Sequence, residues 1–159
     1  FKNKDRLWRA AADRVFRDFG RSLAASLQDH QDESPKQRMA SMIRAYVYYA
    51  RSQPALHKVM VQEASYPNPR LDWLIETHLK PMFDATAIMI EELQRAGVAV
   101  QGNPMLLFNM IRLSSGGLLA LANEIKMSSG INVESDETLD EISDMIVNVF
   151  LPGDFRQPA

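Results

Sequence analysis

This 159-residue chain contains no cysteine. That excludes a disulfide framework, a thiolate nucleophile and any metal site built on cysteine. Histidine is scarce as well. His30, His57 and His78 lie far apart, and none has the i,i+4 partner of a helical zinc site. No apolar run approaches the ~18–20 residues that cross a bilayer. Nowhere do apolar and polar residues alternate with the period of a strand. Gly116 and Gly117 lack the spacing and the lysine of a phosphate loop. "SSGG" (114–117) has helical flanks and no preceding strand, so it is not a nucleophile elbow. These absences argue for a protein without catalysis, metal, cofactor or membrane span, and lack of cysteine agrees with the cytoplasm.

What is present is helical periodicity, with 46% hydrophobic residues, enough for a sizeable core. A first helix runs from about Lys4 to Leu27, capped at Asn3, with Leu7, Ala11, Val15, Phe16, Phe19 and Leu23 on one stripe. Ser34, Pro35 and Gln37 form a capping box that opens a second helix to about Arg51. Pro54 starts a third, ending near Ser65. Asn68 and Pro69 start a long fourth, closed by Gly97 and expected to kink at Pro81. Asn103 and Pro104 start a fifth, reaching about Met127. Ser135 opens a sixth, which ends near Leu151. The expectation is an all-α bundle of about six helices.

Charge is unevenly spread. Residues 1–58 carry 12 Lys/Arg and 6 Asp/Glu, a net of +6, and the remainder carries 6 and 14, a net of −8. A basic end that faces a polyanion is one reading, and a solvated helix face is the other.

The opening "FKNKDRLWRAA" resembles the segment that closes the DNA-binding domain of tetracycline-repressor-like (TetR family) regulators, with Phe1, Asn3, Lys4, Leu7 and Ala10 at the matching positions. "HLKPMFDATAIMIEELQRAGV" and "DEISDMIVNVFLPG" resemble the middle and end of that family's ligand-binding domain. The resemblance implies a helix-turn-helix before Phe1 that reads operator DNA. It makes residues 1–3 the remnant of that head and 4–151 an effector-binding and dimerisation domain, which leaves 152–159 as a C-terminal tail, its "GDFRQPA" expected to fray. Lys4 then stands where a DNA phosphate is contacted.

The same resemblance turns Met and aromatic stripes that read as core into candidate pocket walls. These are Met39, Met42, Tyr46 and Tyr49 on the second helix, Met60 and Glu63 on the third, Trp73, His78, Met82 and Met89 on the fourth, and Phe108 and Arg112 on the fifth. The fifth helix is apolar on two sides and needs two partners. The expected dimer contact is a two-fold four-helix bundle through Ser115, Gly116, Leu118, Leu119, Ala122, Ile142, Met145, Ile146 and Val149. The implied function is a ligand-responsive regulator, read as a repressor. A small apolar or amphipathic effector would shift the population of two head spacings through the first helix. The alternative is a helical protein–protein interaction module with a filled core and no effector.

Overall fold

The computed structural model describes residues 2–153, and among these there is no strand. Phe1 and the tail from 154 to 159 lie outside the described residues. Seven helices follow in order: α1 (Lys2–Asp29), α2 (Pro35–Ser52), α3 (Pro54–Ala64), α4 (69–95), α5 (Pro104–Ala120), α6 (Ala122–Ser129) and α7 (Asp136–Phe150). The all-α expectation holds.

Local chemistry sets most of the boundaries. The Ser34 hydroxyl accepts from the Gln37 amide while the Gln37 side chain takes the Ser34 N–H, a complete capping box. Asn68 and Asn103 each accept two amide bonds at the starts of α4 and α5, and Ser135 caps α7. Gly97, at φ +73, takes the left-handed position just beyond α4, where a side chain would be strained. Asn3 is not a cap, because α1 already includes Lys2 and runs unbroken through Lys4. The helix passes through residues 3 and 4 without a break.

Two helices depart from regular α geometry. In α4, Ile75–Leu79 forms a π turn in which the Lys80 amide reaches back to the Ile75 carbonyl. Pro81 lies two residues past that turn. It has no N–H to donate, and its ring crowds the carbonyl four residues back, so the wider turn accommodates it. In α5, Leu113–Gly117 is a second π turn. The fifth helix expected to reach Met127 breaks instead at Leu121, and α6 leaves at 69° to α5. This bent pair has the length and apolar composition of a broken span, but no single helix among the described residues is long and apolar enough to cross a membrane.

The buried residues form two cores. One lies among α2, α5, α7 and the end of α4. It is mainly aliphatic, with Ile43, Val47, Ile90, Leu93, Leu139, Ile146 and Leu151 at its centre. The other joins α1, α2, α3 and the start of α4, through Phe16, Phe19, Tyr46, Leu56, Met60 and Leu74, flanked by Trp8, Tyr49, Trp73 and Phe83. On α1 the buried stripe is Trp8, Ala12, Val15, Phe16, Phe19 and Leu23, whereas Leu7 is 72% exposed and Ala11 faces outward. Those first two positions of the expected stripe are corrected by a shift of one residue. The C-terminal turn is tied down at Gly153, which donates to Val98 and accepts from Lys36. The expected fraying therefore does not begin there.

Candidate functional site

The site grows from the place where α1, α2, α4 and α5 fail to close on one another. Phe19 and Leu23 come from α1, Met39, Met42, Ile43 and Tyr46 from α2, and Met60 from α3. Met82 and Thr86 of α4 and Phe108, Ile111 and Arg112 of α5 complete the wall of a cavity of about 50 Å³. A water needs only about 10–15 Å³ measured this way, so the space is more than a packing defect. The Thr86 hydroxyl donates to the Met82 carbonyl at 2.8 Å and is spent on its own helix, leaving an almost wholly apolar wall. Alongside runs an apolar groove of about 250 Å³ between α1 and α4, with Phe16, Ala24 and Leu27 on one bank and His78, Ala85 and Met89 on the other. Cavity and groove share Leu23, Met42, Met82 and Thr86. Two flexible methionines thus stand between the inner space and the outer one.

Arg112 is the charged group at this cavity. It donates to Asn109 Oδ1 at 2.8 Å, approaches Met60 Sδ at 3.9 Å and lies 5.4 Å from the centre of the Phe83 ring. Its Nε is buried with no hydrogen-bond partner. Burial lowers its affinity for the proton, and Tyr46 opposes that effect. Beside it, the Tyr46 hydroxyl and His57 Nδ1 stand 3.4 Å apart. Burial pushes the Tyr46 hydroxyl up to about 12, with the Arg112 charge pulling the other way. Burial, with the Arg112 charge adding to it, holds His57 below its ordinary value. Both groups are therefore neutral near pH 7. The His57 ring in turn fits against Gly116, where a Cβ would come within 2.2 Å of it. Here only glycine leaves room for the ring.

Seven of the residues expected at the pocket line the cavity: Met39, Met42, Tyr46, Met60, Met82, Phe108 and Arg112. His78 and Met89 line the groove instead, with His78 bonded to Asp13 at 2.8 Å and stacked on Phe16. Three expectations are corrected. Tyr49 turns to α1 and donates to the Val15 carbonyl, Glu63 is buried but pairs with Arg70 at 3.7 Å, and Trp73 packs edge-on against Trp8 beneath Arg9. Periodicity missed His57. A lone histidine on a short helix carries no signal until the glycine that receives it is known to face it.

The expected dimer contacts divide. Met145 and Val149 are exposed. Leu118, Leu119 and Ala122 are half-buried against the aliphatic core. Ser115, Gly116, Ile142 and Ile146 are corrected, because they are buried within this one chain and cannot also face a second. Of the small residues 114–117 it is Gly116 that makes room for His57, while a Cβ on Gly117 would meet nothing within 4 Å. Leu106, Met110 and Leu113 are apolar residues that α5 presents to solvent, and Met145 and Val149 are exposed on α7.

Lys4 is exposed in the first turns of α1. That end of the helix is clasped by α4. Asp5 pairs with Arg9 at 3.1 Å and with Arg70 at 3.2 Å, and Arg70 lies over the Trp8 ring. These two arginines hold the Asp5 carboxyl below its usual range. Among the described residues no three His, Asp or Glu side chains come together as a metal site would require. Neither a scan of protein-family models nor a search of curated proteins returns a match for this chain.

Proposed function

We propose that this chain is the sensing and dimerising part of a TetR-like, ligand-responsive transcriptional regulator, a cytoplasmic repressor whose operator-reading helix-turn-helix precedes Phe1. One observation carries the reading: the cavity and the start of α1 share the same two walls. Phe19 and Leu23 of α1 and Met82 and Thr86 of α4 border the cavity, while Asp5 and Trp8 of α1 are clasped by Arg70 and Trp73 of α4. The π turn of α4 lies between the two contacts, and such turns are frequent where a helix serves a function. An effector that parts α1 from α4 would therefore tilt the end of α1 that leads to the head. It acts only through its difference in affinity for the two tilts. The exposed apolar side chains of Leu106, Met110 and Leu113 on α5 and of Met145 and Val149 on α7 support a two-fold partner.

The test is to express the chain with the residues encoded upstream of Phe1 and measure its binding to the DNA flanking its own gene. Binding that weakens when a cavity ligand is added supports the reading. Failure to bind any of that DNA counts against it. Sedimentation at micromolar concentration checks the dimer. Met145→Glu with Leu113→Glu, both exposed in the single chain, should give a folded monomer, since a dry apolar interface does not accept the charges. A wild-type monomer would favour the interaction-module alternative, in which these side chains await a different protein.

A further inference from the structure

We propose that the cavity is built for an amphipathic monocarboxylate, the carboxylate seated on Arg112 and the apolar tail running out between α1 and α4. This rests on the sensor reading and names the ligand class for the same site.

The argument begins with a missing counter-charge. Arg9, Arg44, Arg51 and Arg70 each meet a carboxylate within the chain. Arg112 is the more buried in apolar surroundings, yet among the described residues its partners are an amide oxygen, a thioether and an aromatic ring. The buried carboxylate of Glu63 is taken by Arg70. A guanidinium held among methionine and phenylalanine without an anion is costly, and its unpartnered Nε adds to that cost. An incoming carboxylate removes both defects, because a planar fork of N–H donors matches two carboxylate oxygens.

The neighbours suit an anion. Tyr46 and His57 bring hydrogen-bonding groups beside Arg112 and no negative charge. The space suits a tail. The cavity of about 50 Å³ takes the head and first carbons, and the groove of about 250 Å³ takes the rest once Met42 and Met82 swing aside. A neutral amphiphile could fill the same groove but would leave Arg112 unpaired. The site therefore selects for charge at one end and for length at the other.

The experiment titrates the chain with sodium decanoate and, separately, with 1-decanol below their aggregation concentrations, following heat of binding and melting temperature. The proteins are the wild type, Arg112→Met and Arg112→Lys. Decanoate should bind the wild type about tenfold or more tighter than decanol, the usual worth of a charge-assisted hydrogen bond. Arg112→Met should erase that preference while keeping decanol affinity, and without ligand it should melt higher than the wild type, because an unpaired charge is gone. Arg112→Lys should keep part of the preference. Equal binding of the two amphiphiles by the wild type overturns the proposal and leaves the sensor reading standing. So does a preference that survives in Arg112→Met. If Arg112→Met does not fold, the wild-type comparison and Arg112→Lys decide the matter. Should neither amphiphile bind, the proposal fails. A screen of neutral and cationic apolar compounds then shows whether the sensor reading fails with it.

Discussion

The two cores of this molecule are built from different residues and behave as different materials. Around α7 the core is mostly Leu, Ile and Val, with Met39, Ala99 and Phe150 also buried, and five of its side chains (Val47, Val98, Leu139, Leu151 and Ile90) are sealed to within 1% exposure. Around α1 the core sets Phe16, Phe19, Tyr46 and Met60 around Leu56, Leu74 and Leu79, with Trp8 and Trp73 packed on its flank, and it keeps a histidine, an arginine and empty space at its border. Branched aliphatic side chains interlock at crystal-like density. Rings and thioethers span irregular gaps, and the polar ends of Tyr and His must find partners. The first core holds the bundle together, and the second holds room for something else.

The largest test of that contrast is a pair of truncations. Leu139→Ala, in the sealed core, should cost about 3–5 kcal/mol of unfolding free energy, because its surroundings cannot collapse onto the hole. Met42→Ala, half-buried beside an existing space, should cost about 1 kcal/mol, since it enlarges a void already present. Guanidinium denaturation of both variants measures the difference. Equal losses would mean that the two cores are packed alike.

Next in size is the seam between the cores, where Gly116 receives His57. Gly116→Ala should cost about 1–3 kcal/mol by overpacking, as its methyl group would have to displace the ring. Adding His57→Ala to Gly116→Ala should cost less than the two single changes summed, as required if one steric contact links them. Simple additivity would show that the ring already has space to move.

A smaller effect follows from the same histidine. Burial lowers its proton affinity in the folded protein, so the unfolded chain binds more protons below pH 6.5, the ordinary value. Its contribution to stability is complete above that pH. It is lost as the pH falls toward the lowered folded value, at most about 1.4 kcal/mol per pH unit. The measurement is stability from pH 8 to pH 5 for the wild type and His57→Gln. The variant should fall less steeply in acid.

Some of this contrast is legible in the residues themselves. Caps and prolines act locally, so Ser34, Asn68, Asn103 and Ser135 marked their helix starts correctly. The Met and aromatic stripes marked the cavity because side-chain type and periodicity are both written in sequence. Facing was not written there. Ile146 and Val149 look alike on α7, yet one is sealed and the other is 60% exposed, a choice made by the elements packed against them. Glu63 and Arg112 were equal candidates for a buried charge until Arg70, from the next helix, proved to be the partner of one and not of the other. The break at Leu121 and both π turns also escaped, because nothing in a one-dimensional pattern records a carbonyl that bonds five residues ahead.

The smallest effect concerns charge. The sequence divides into a basic first part and an acidic remainder, and the fold spends some of that polarity on itself. Arg44 of α2 reaches both Asp140 and Asp144 of α7, and Arg51 reaches Asp136. Tyr48 adds a hydrogen bond to Asp140 at 2.9 Å, which holds its phenol above the ordinary value. These bridges lie over the sealed core and bind its two outer helices from the solvent side. They remain in water, with Arg44 46% exposed and Asp140 48%. Exposed pairs are worth about 0–1 kcal/mol and weaken with salt. Arg44→Ala should therefore lower stability by no more than about 1 kcal/mol in dilute buffer, and by less in 0.5 M sodium chloride. Leu139→Ala, which acts on the same helix from inside, should be indifferent to salt. A loss at Arg44 that is as large as the one at Leu139, and as insensitive to salt, would place the strength of α7 in its charged edge and reverse the order of the two regions.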